Sequence, residues 1–316
     1  MSEIRFDGRV AIVTGAGSGI GRCHALMLAS RGARVVVNDL GTTVDGRGQR
    51  RRSAEGVISE IRAAGGEAVA NDDDISCPCG AARLADQAMD EFGRLDILVN
   101  NAGILRDKTF AKMELADFQK VLDVHLLGSV YCTKAAWGRM TSQGYGRIVV
   151  TTSSSGLYGH FGQTNYDAAK LGLVGFMKGL ALEGRRNDVL VNAVAPLAAT
   201  RMSDGVLDVE AFARMAPEHV SAVVAYLASE QCNLSGEIMV AGGGYLARAA
   251  IVESQGVVLP AENPSPEAVA GAVAAASELA QAVAYPDLSA AFAAAVSKID
   301  AARQPQISAA GSSHAS

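Results

Sequence analysis

Tyr166 and Lys170 stand four residues apart in a stretch of helical spacing, so their side chains share one helix face. A tyrosine hydroxyl ordinarily titrates near about 10, too high for an efficient base at neutral pH. An ammonium beside it, helped by any positively charged group bound nearby, favours the phenolate and brings that value down. Ser153 lies thirteen residues before Tyr166, within Thr151-Thr152-Ser153-Ser154-Ser155, directly after an apolar run. Its hydroxyl can hold a substrate oxygen beside the tyrosine. The three groups suit proton transfer at an alcohol or carbonyl oxygen.

A second constellation supplies a place for a dinucleotide. Thr14-Gly15-Ala16-Gly17-Ser18-Gly19-Ile20-Gly21 sits between the apolar run Val10–Val13 and a helix. Glycines in that context let the backbone turn tightly and approach a pyrophosphate, whose charge then lies against the helix N-terminus. Gly15, Ser18, Gly19, Ile20 and Gly21 are the expected contacts. Asp39 follows the next apolar run, about 20 residues beyond the loop, where an acid accepts hydrogen bonds from the adenosine ribose. A carboxylate there repels a 2′-phosphate and favours NAD(H). Arg47, Arg50, Arg51 and Arg52 argue the other way, since phosphate attracts arginine. They lie eight to thirteen residues past Asp39 and read as a solvated helix start or a contact for substrate phosphate. In Asp72-Asp73-Asp74-Ile75 one acid can accept from the adenine amino group; the sequence does not separate the three, and Asp74, directly before Ile75, is the choice made. Asn101-Ala102-Gly103 forms a small turn that would flank the cofactor.

These residues need a frame. Short apolar runs recur at Val10–Val13, Val35–Val37, Ala68–Ala70, Ile97–Val99, Ile148–Val150, Leu190–Val194 and Ile238–Val240. Such runs suit strands buried on both faces, and helical stretches such as Asp117 to Met140 and Asn165 to Glu183 separate them. The expected fold is α/β, a doubly wound, seven-stranded parallel sheet of Rossmann type. Residues 1–245 would form this catalytic domain. Residues 246–260 read as one or two short strands turning at Gly256, followed by Ala-rich helices over 267–284 and 287–302. Residues 246–303 would thus be an extension, and 304–316 a disordered tail.

With 316 residues, 49% of them apolar and 19% charged, the chain can bury a sizeable core. A net charge of −5 gives no general pull toward nucleic acid or anionic membranes. The start, MSEIRFDGRV, is charged where a leader is apolar, and no apolar run approaches the roughly 20 residues of a spanning helix. A cytoplasmic location is the expectation. The five cysteines at scattered positions do not resemble a disulfide framework. Cys77-Pro78-Cys79 lacks a nearby His, so no metal is expected, and buried or half-buried thiols are the reading.

TGAGSGIG, NNAG, Ser153 and Tyr166-Asp167-Ala168-Ala169-Lys170, in this order over residues 1–245, resemble the short-chain dehydrogenase/reductase family. The resemblance implies an enzyme with Tyr166 as acid/base, Lys170 tuning it and binding the nicotinamide ribose, and Ser153 holding the substrate oxygen. It also implies a homodimer or homotetramer. Two departures stand out. Where family members commonly carry an asparagine whose backbone carbonyl serves a proton-relay water, this chain has His125. The usual Pro-Gly after the sixth strand is Pro196-Leu197, followed by Thr200, the implied contact to the nicotinamide carboxamide. VNDLG, NAGILRD, VHL and GHFGQTNY are similar to the dehydrogenase portions of peroxisomal multifunctional enzymes of β-oxidation and their bacterial relatives. That implies interconversion of (3R)-3-hydroxyacyl-CoA and 3-oxoacyl-CoA, with CoA phosphates near Arg106, Lys108 and Arg47 to Arg52. A hydroxysteroid or another bulky secondary alcohol is the alternative substrate, and a non-catalytic dinucleotide-binding protein the alternative class.

Overall fold

In a computed structural model, the structure describes residues 3–47, 53–197, 215–260 and 265–303. Eight strands form one sheet in the order β3-β2-β1-β4-β5-β6-β7-β8. They are β1 (Val10–Thr14), β2 (Arg34–Asn38), β3 (Ala68–Asn71), β4 (Ile97–Asn100), β5 (Gly146–Thr151), β6 (Val189–Pro196), β7 (Ile238–Gly242) and β8 (Tyr245–Ala249). The first seven pair in parallel, each matching an apolar run of the sequence. β1 pairs with both β2 and β4, so strand order reverses beside it. That switch point is where such sheets open a crevice at their C-terminal edge.

Helices cover both faces. On one, α1 (Gly19–Ser30) and α2 (Ser53–Ala63) bury Leu28, Val57 and Ile61 against Val13, Val35 and Val37. α8 (Glu218–Leu227) adds Val220 and Val224 to that core. On the other, α3 (Pro78–Phe92), α5 (Gly128–Gln143) and α7 (Thr164–Gly184) place Leu84, Met140, Leu173 and Met177 against Ile12, Leu98 and Ile148. Alternate residues of one strand thus feed different cores, and every strand at the sheet centre must be apolar throughout. Two shorter helices, α4 (Leu115–Leu122) and α6 (Ser154–Tyr158), precede α5 and α7.

The sheet has one strand more than the seven expected. β8 runs antiparallel to β7, with Gly242 opposite Tyr245. Gly243 and Gly244 between them have φ of 57° and 82°. Two positive-φ residues in a two-residue loop make the hairpin turn that matches strand twist, and glycine adopts it without strain. The Gly-Gly pair before Tyr245 was the signal for a hairpin. The compact unit accordingly runs to Ala249, past the composition change at Tyr245.

The second unit begins at Ala250. Its helices are α9 (Pro266–Ala276) and α10 (Leu288–Arg303). Ser265 caps α9 by accepting from the Ala268 N–H at 3.1 Å, with Pro266 in the first turn. The helix expected to continue to residue 284 ends at Ala276. The Ser277 hydroxyl turns back onto the Val273 carbonyl at 2.7 Å, and Val283 forms an antiparallel bridge with Glu253. Residues 304–316 lie outside the described residues. Cys77 and Cys79 also differ from expectation: they are joined to each other by a disulfide, at a Cα separation of 5.3 Å, while Cys23, Cys132 and Cys232 are buried thiols.

Candidate active site

At the switch point, the loops after β1 and β4 are laced together. The Thr14 hydroxyl accepts from the N–H groups of Asn101 (3.0 Å) and Ala102 (3.1 Å), and the Asn101 amide donates to the Thr14 carbonyl at 3.0 Å. Such contact leaves no room for a side chain at Gly15 or Gly21. Gly15, at φ 62°, would bring a Cβ within 2.7 Å of the Ala102 Cα, and a Cβ on Gly21 would lie 2.3 Å from the Gly15 carbonyl oxygen. The bared backbone and the N-terminus of α1 border a crevice lined by Ser18, Gly19, Ile20, Asp39, Asp74, Ile75 and Gly103. The residues present therefore fit a dinucleotide.

Asp39 sits at the end of β2. One carboxylate oxygen accepts from the Gly17 N–H and the other from the Gly41 N–H, both at 2.8 Å. Of the three consecutive acids, Asp72 is exposed. Asp73 is paired with Arg83 and accepts from the Asn71 amide at 2.9 Å. Asp74 accepts from the Ser76 N–H and hydroxyl through a single oxygen, at 2.8 and 2.7 Å, and its second oxygen carries none of these bonds. Lys120 and Val124, which sequence reasoning did not single out, also line the crevice.

Further along the same edge, Ser153 caps α6, its side chain accepting from the Ser155 N–H at 3.2 Å. Tyr166 and Lys170 lie in the first turns of α7, with the ammonium 5.5 Å from the phenol ring centroid. α6 packs so tightly on α7 that a Cβ on Gly156 would lie 2.6 Å from that of Lys170. Lys170 is buried and donates to the Thr151 carbonyl at 2.5 Å. Burial lowers its pKa to about 7. Burial also pushes the Tyr166 hydroxyl up to about 12, while a hydrogen bond with Ser153 pulls it down and Asp107 and Asp167 push it further up. The phenol is therefore raised, not lowered as the sequence led us to expect. The Lys170 ammonium donates to a backbone carbonyl, not to the phenol, and burial sets the direction.

His125 lies in a single π-turn, Asp123–Leu127, that interrupts the continuous helix expected over 117–140. Its ring is buried, 5.1 Å edge-on from the Tyr166 ring, with Nε2 within 3.0 Å of the Ile104 N–H and 2.8 Å of the Ile104 carbonyl. Burial and the neighbouring Lys170 lower its pKa well below the ordinary value, so the ring is neutral. Its own carbonyl accepts from the Ser129 hydroxyl at 2.7 Å. A Cβ on Gly103 would come 2.2 Å from the imidazole, which is why the NNAG turn ends in glycine. Pro196 closes β6 in register with Ala241, and Thr200 lies outside the described residues.

Sequence reasoning missed Asn165. It is fully buried, donates to the Arg106 carbonyl at 3.0 Å and accepts from the Tyr166 N–H at 2.8 Å. A buried amide beside a reacting residue was its only signal. Arg106 and Arg47, read from sequence as phosphate contacts, both pair with Asp117, at 2.8 and 2.9 Å. Arg50 to Arg52 lie outside the described residues.

The model of the short chain dehydrogenase family matches residues 9–208. This chain belongs to that family. It is 51% identical over 248 residues to a putative short-chain type dehydrogenase/reductase of Mycobacterium tuberculosis, covering 78% of this chain and 87% of that protein. It is 49% identical over 257 residues to the peroxisomal multifunctional enzyme type 2 of Drosophila melanogaster, covering 81% of this chain but 42% of the relative. The chain thus spans less than half the length of that relative. The solved full-length fly enzyme superposes with a TM-score of 0.81 at 38% identity, covering 94% of this chain and 50% of that one. A 7α-hydroxysteroid dehydrogenase solved with NADH and 7-oxo glycochenodeoxycholic acid gives a TM-score of 0.68 at 30% identity, covering 76% of this chain and 95% of that one. The protein is an oxidoreductase of this family, and its structural relatives point to a nicotinamide dinucleotide. Among the described residues no helix is long and apolar enough to cross a membrane.

Proposed function

We propose that this enzyme interconverts (3R)-3-hydroxyacyl-CoA and 3-oxoacyl-CoA with NAD(H). The observation that carries the chemistry is the placement of Ser153, Tyr166 and Lys170 together after β5 and at the start of α7, with the Ser153 hydroxyl lowering the Tyr166 phenol and the Lys170 ammonium 5.5 Å from its ring centroid. Gly15 to Gly21, Asp39, Asp74, Ile75 and Asn101 to Gly103 would hold the dinucleotide, which supplies the hydride acceptor or donor.

Tyr166 takes the alcohol proton during oxidation and returns it during reduction. Ser153 donates to the substrate oxygen and fixes it beside the phenol. Lys170 stabilises the phenolate in the protonated state and binds the nicotinamide ribose. Burial disfavours the phenolate and the ammonium alike, and each charged form is favoured by the other beside it. His125 stays neutral and holds the backbone of Ile104. The Asp39 carboxylate lines the crevice at the end of β2, where its charge would repel a 2′-phosphate, which supports NAD(H).

The acyl-CoA reading rests on similarity to the multifunctional enzymes. Since Arg47 and Arg106 serve Asp117, Lys108 and the Arg50–Arg52 cluster are left to meet CoA phosphates. The steroid dehydrogenase relative supports the second reading, a bulky hydroxysteroid. NADH formation with (3R)- and (3S)-3-hydroxyacyl-CoA, hydroxysteroids and free hydroxy acids separates them. The (3R) thioester should turn over fastest; a faster steroid overturns the substrate, and no turnover of any alcohol overturns the enzyme reading in favour of a dinucleotide-binding protein. We also propose a homo-oligomer.

A further inference from the structure

The segment Leu40–Arg47 forms one wall of the dinucleotide crevice, contributing Leu40, Thr42, Thr43, Val44 and Gly46 opposite the glycine loop. Its start is tied to Asp39 through the Gly41 N–H. Its middle is tied to the chain after β4: the Leu105 N–H donates to the Val44 carbonyl at 2.9 Å, and Arg106 Nε to the Asp45 carbonyl at 3.0 Å. Its far end is held by charge. Arg47 donates to both oxygens of Asp117, at 2.9 and 3.2 Å, and Arg106 donates to one of them at 2.8 Å. The Arg106 and Asp117 side chains are 14% and 15% exposed, and that of Arg47 is 61% exposed.

Two guanidinium groups therefore converge on one carboxylate from different pieces of chain. Remove that carboxylate and attraction becomes repulsion, because Arg47 and Arg106 are left facing each other. We propose that Asp117 is a positioning residue that latches the Leu40–Arg47 strap over bound coenzyme and so sets how fast NADH leaves. The same hub reaches the proton-transfer group, since the Arg106 carbonyl anchors Asn165, which holds the first turn of the helix carrying Tyr166. This inference rests on the reading of the crevice as an NAD(H) site.

Release of NADH from the full chain, followed by stopped-flow fluorescence, tests it. In Asp117→Asn the dissociation rate should rise by about 5- to 30-fold, the scale of losing two part-exposed ion pairs. Added salt should speed release from the wild type, by screening the attraction, and slow it in the variant, by screening the repulsion, a reversal that general loosening would not produce. Arg47→Met, an exposed change that leaves the fold alone, should raise the rate by a smaller factor and weaken the salt dependence. An unchanged rate in either variant, or equal salt dependence in wild type and variant, overturns the latch. A wild type that binds no NADH overturns the coenzyme reading and the latch together.

Discussion

Tyr166→Phe deletes one hydroxyl and leaves the ring against His125. Turnover should fall by about 10²- to 10⁴-fold, the usual loss with a general acid/base, while NADH binding measured by fluorescence stays near wild type. Asp39→Ala removes the anchor of Gly17 and Gly41 together with the charge that repels a 2′-phosphate. The ratio of kcat/KM for NAD⁺ over NADP⁺ should drop; a wild type already preferring NADP⁺ would show Asp39 to be misread. The buried titrating groups give the protein a pH profile of stability. Lys170, lowered to about 7, binds a proton in the unfolded chain that the folded chain lacks, so its contribution grows as pH rises from about 7 toward 10.5. Tyr166, raised to about 12, acts oppositely and loses its contribution from about 10 to 12. His24, lowered to about 3, and His125 cost stability as pH falls below 6.5. Urea midpoints of the coenzyme-free protein should therefore climb from acid to about pH 10 and then fall. Lys170→Met should flatten the rise above pH 7.

Elements were legible in proportion to how local their cause was. Each of the seven parallel strands is a short apolar run, because both faces are buried, and the glycine loop and the Tyr166–Lys170 helix follow from neighbours in sequence. A short strand was expected just after residue 245, but not that β8 would join the sheet, because Tyr-Leu-Ala-Arg-Ala has one covered face at most and carries no continuous apolar run. The π-turn at Asp123–Leu127 escaped for another reason: an extra residue in a helix leaves the apolar spacing nearly intact. At the site, Ser153, Tyr166 and Lys170 were readable from spacing. Asn165 and Asp117 were not, since their partners Arg106 and Arg47 lie 59, 11 and 70 residues away. β8 also yields a test. A chain ended at Ala249 should keep its NADH affinity, whereas one ended at Tyr245 bares the hydrogen-bonding edge of β7 and should aggregate in light scattering.

For the whole molecule, the proposed homo-oligomer should appear as a multiple of 32.6 kDa by light scattering at micromolar concentration; a monomer overturns it. Seven strands deliver their C-terminal ends to the edge that holds the crevice, and an eighth parallel strand would deliver the chain there too. β8 instead runs back, and Ala249 finishes beside Ile238, at the opposite edge. A polypeptide leaving the sheet at Ala249 starts from the side remote from the glycine loop, Ser153 and Tyr166. The fold is thereby built to be spliced: enzymes, tags or a solid support can be joined at that point as interchangeable modules, with the mouth of the catalytic crevice left open.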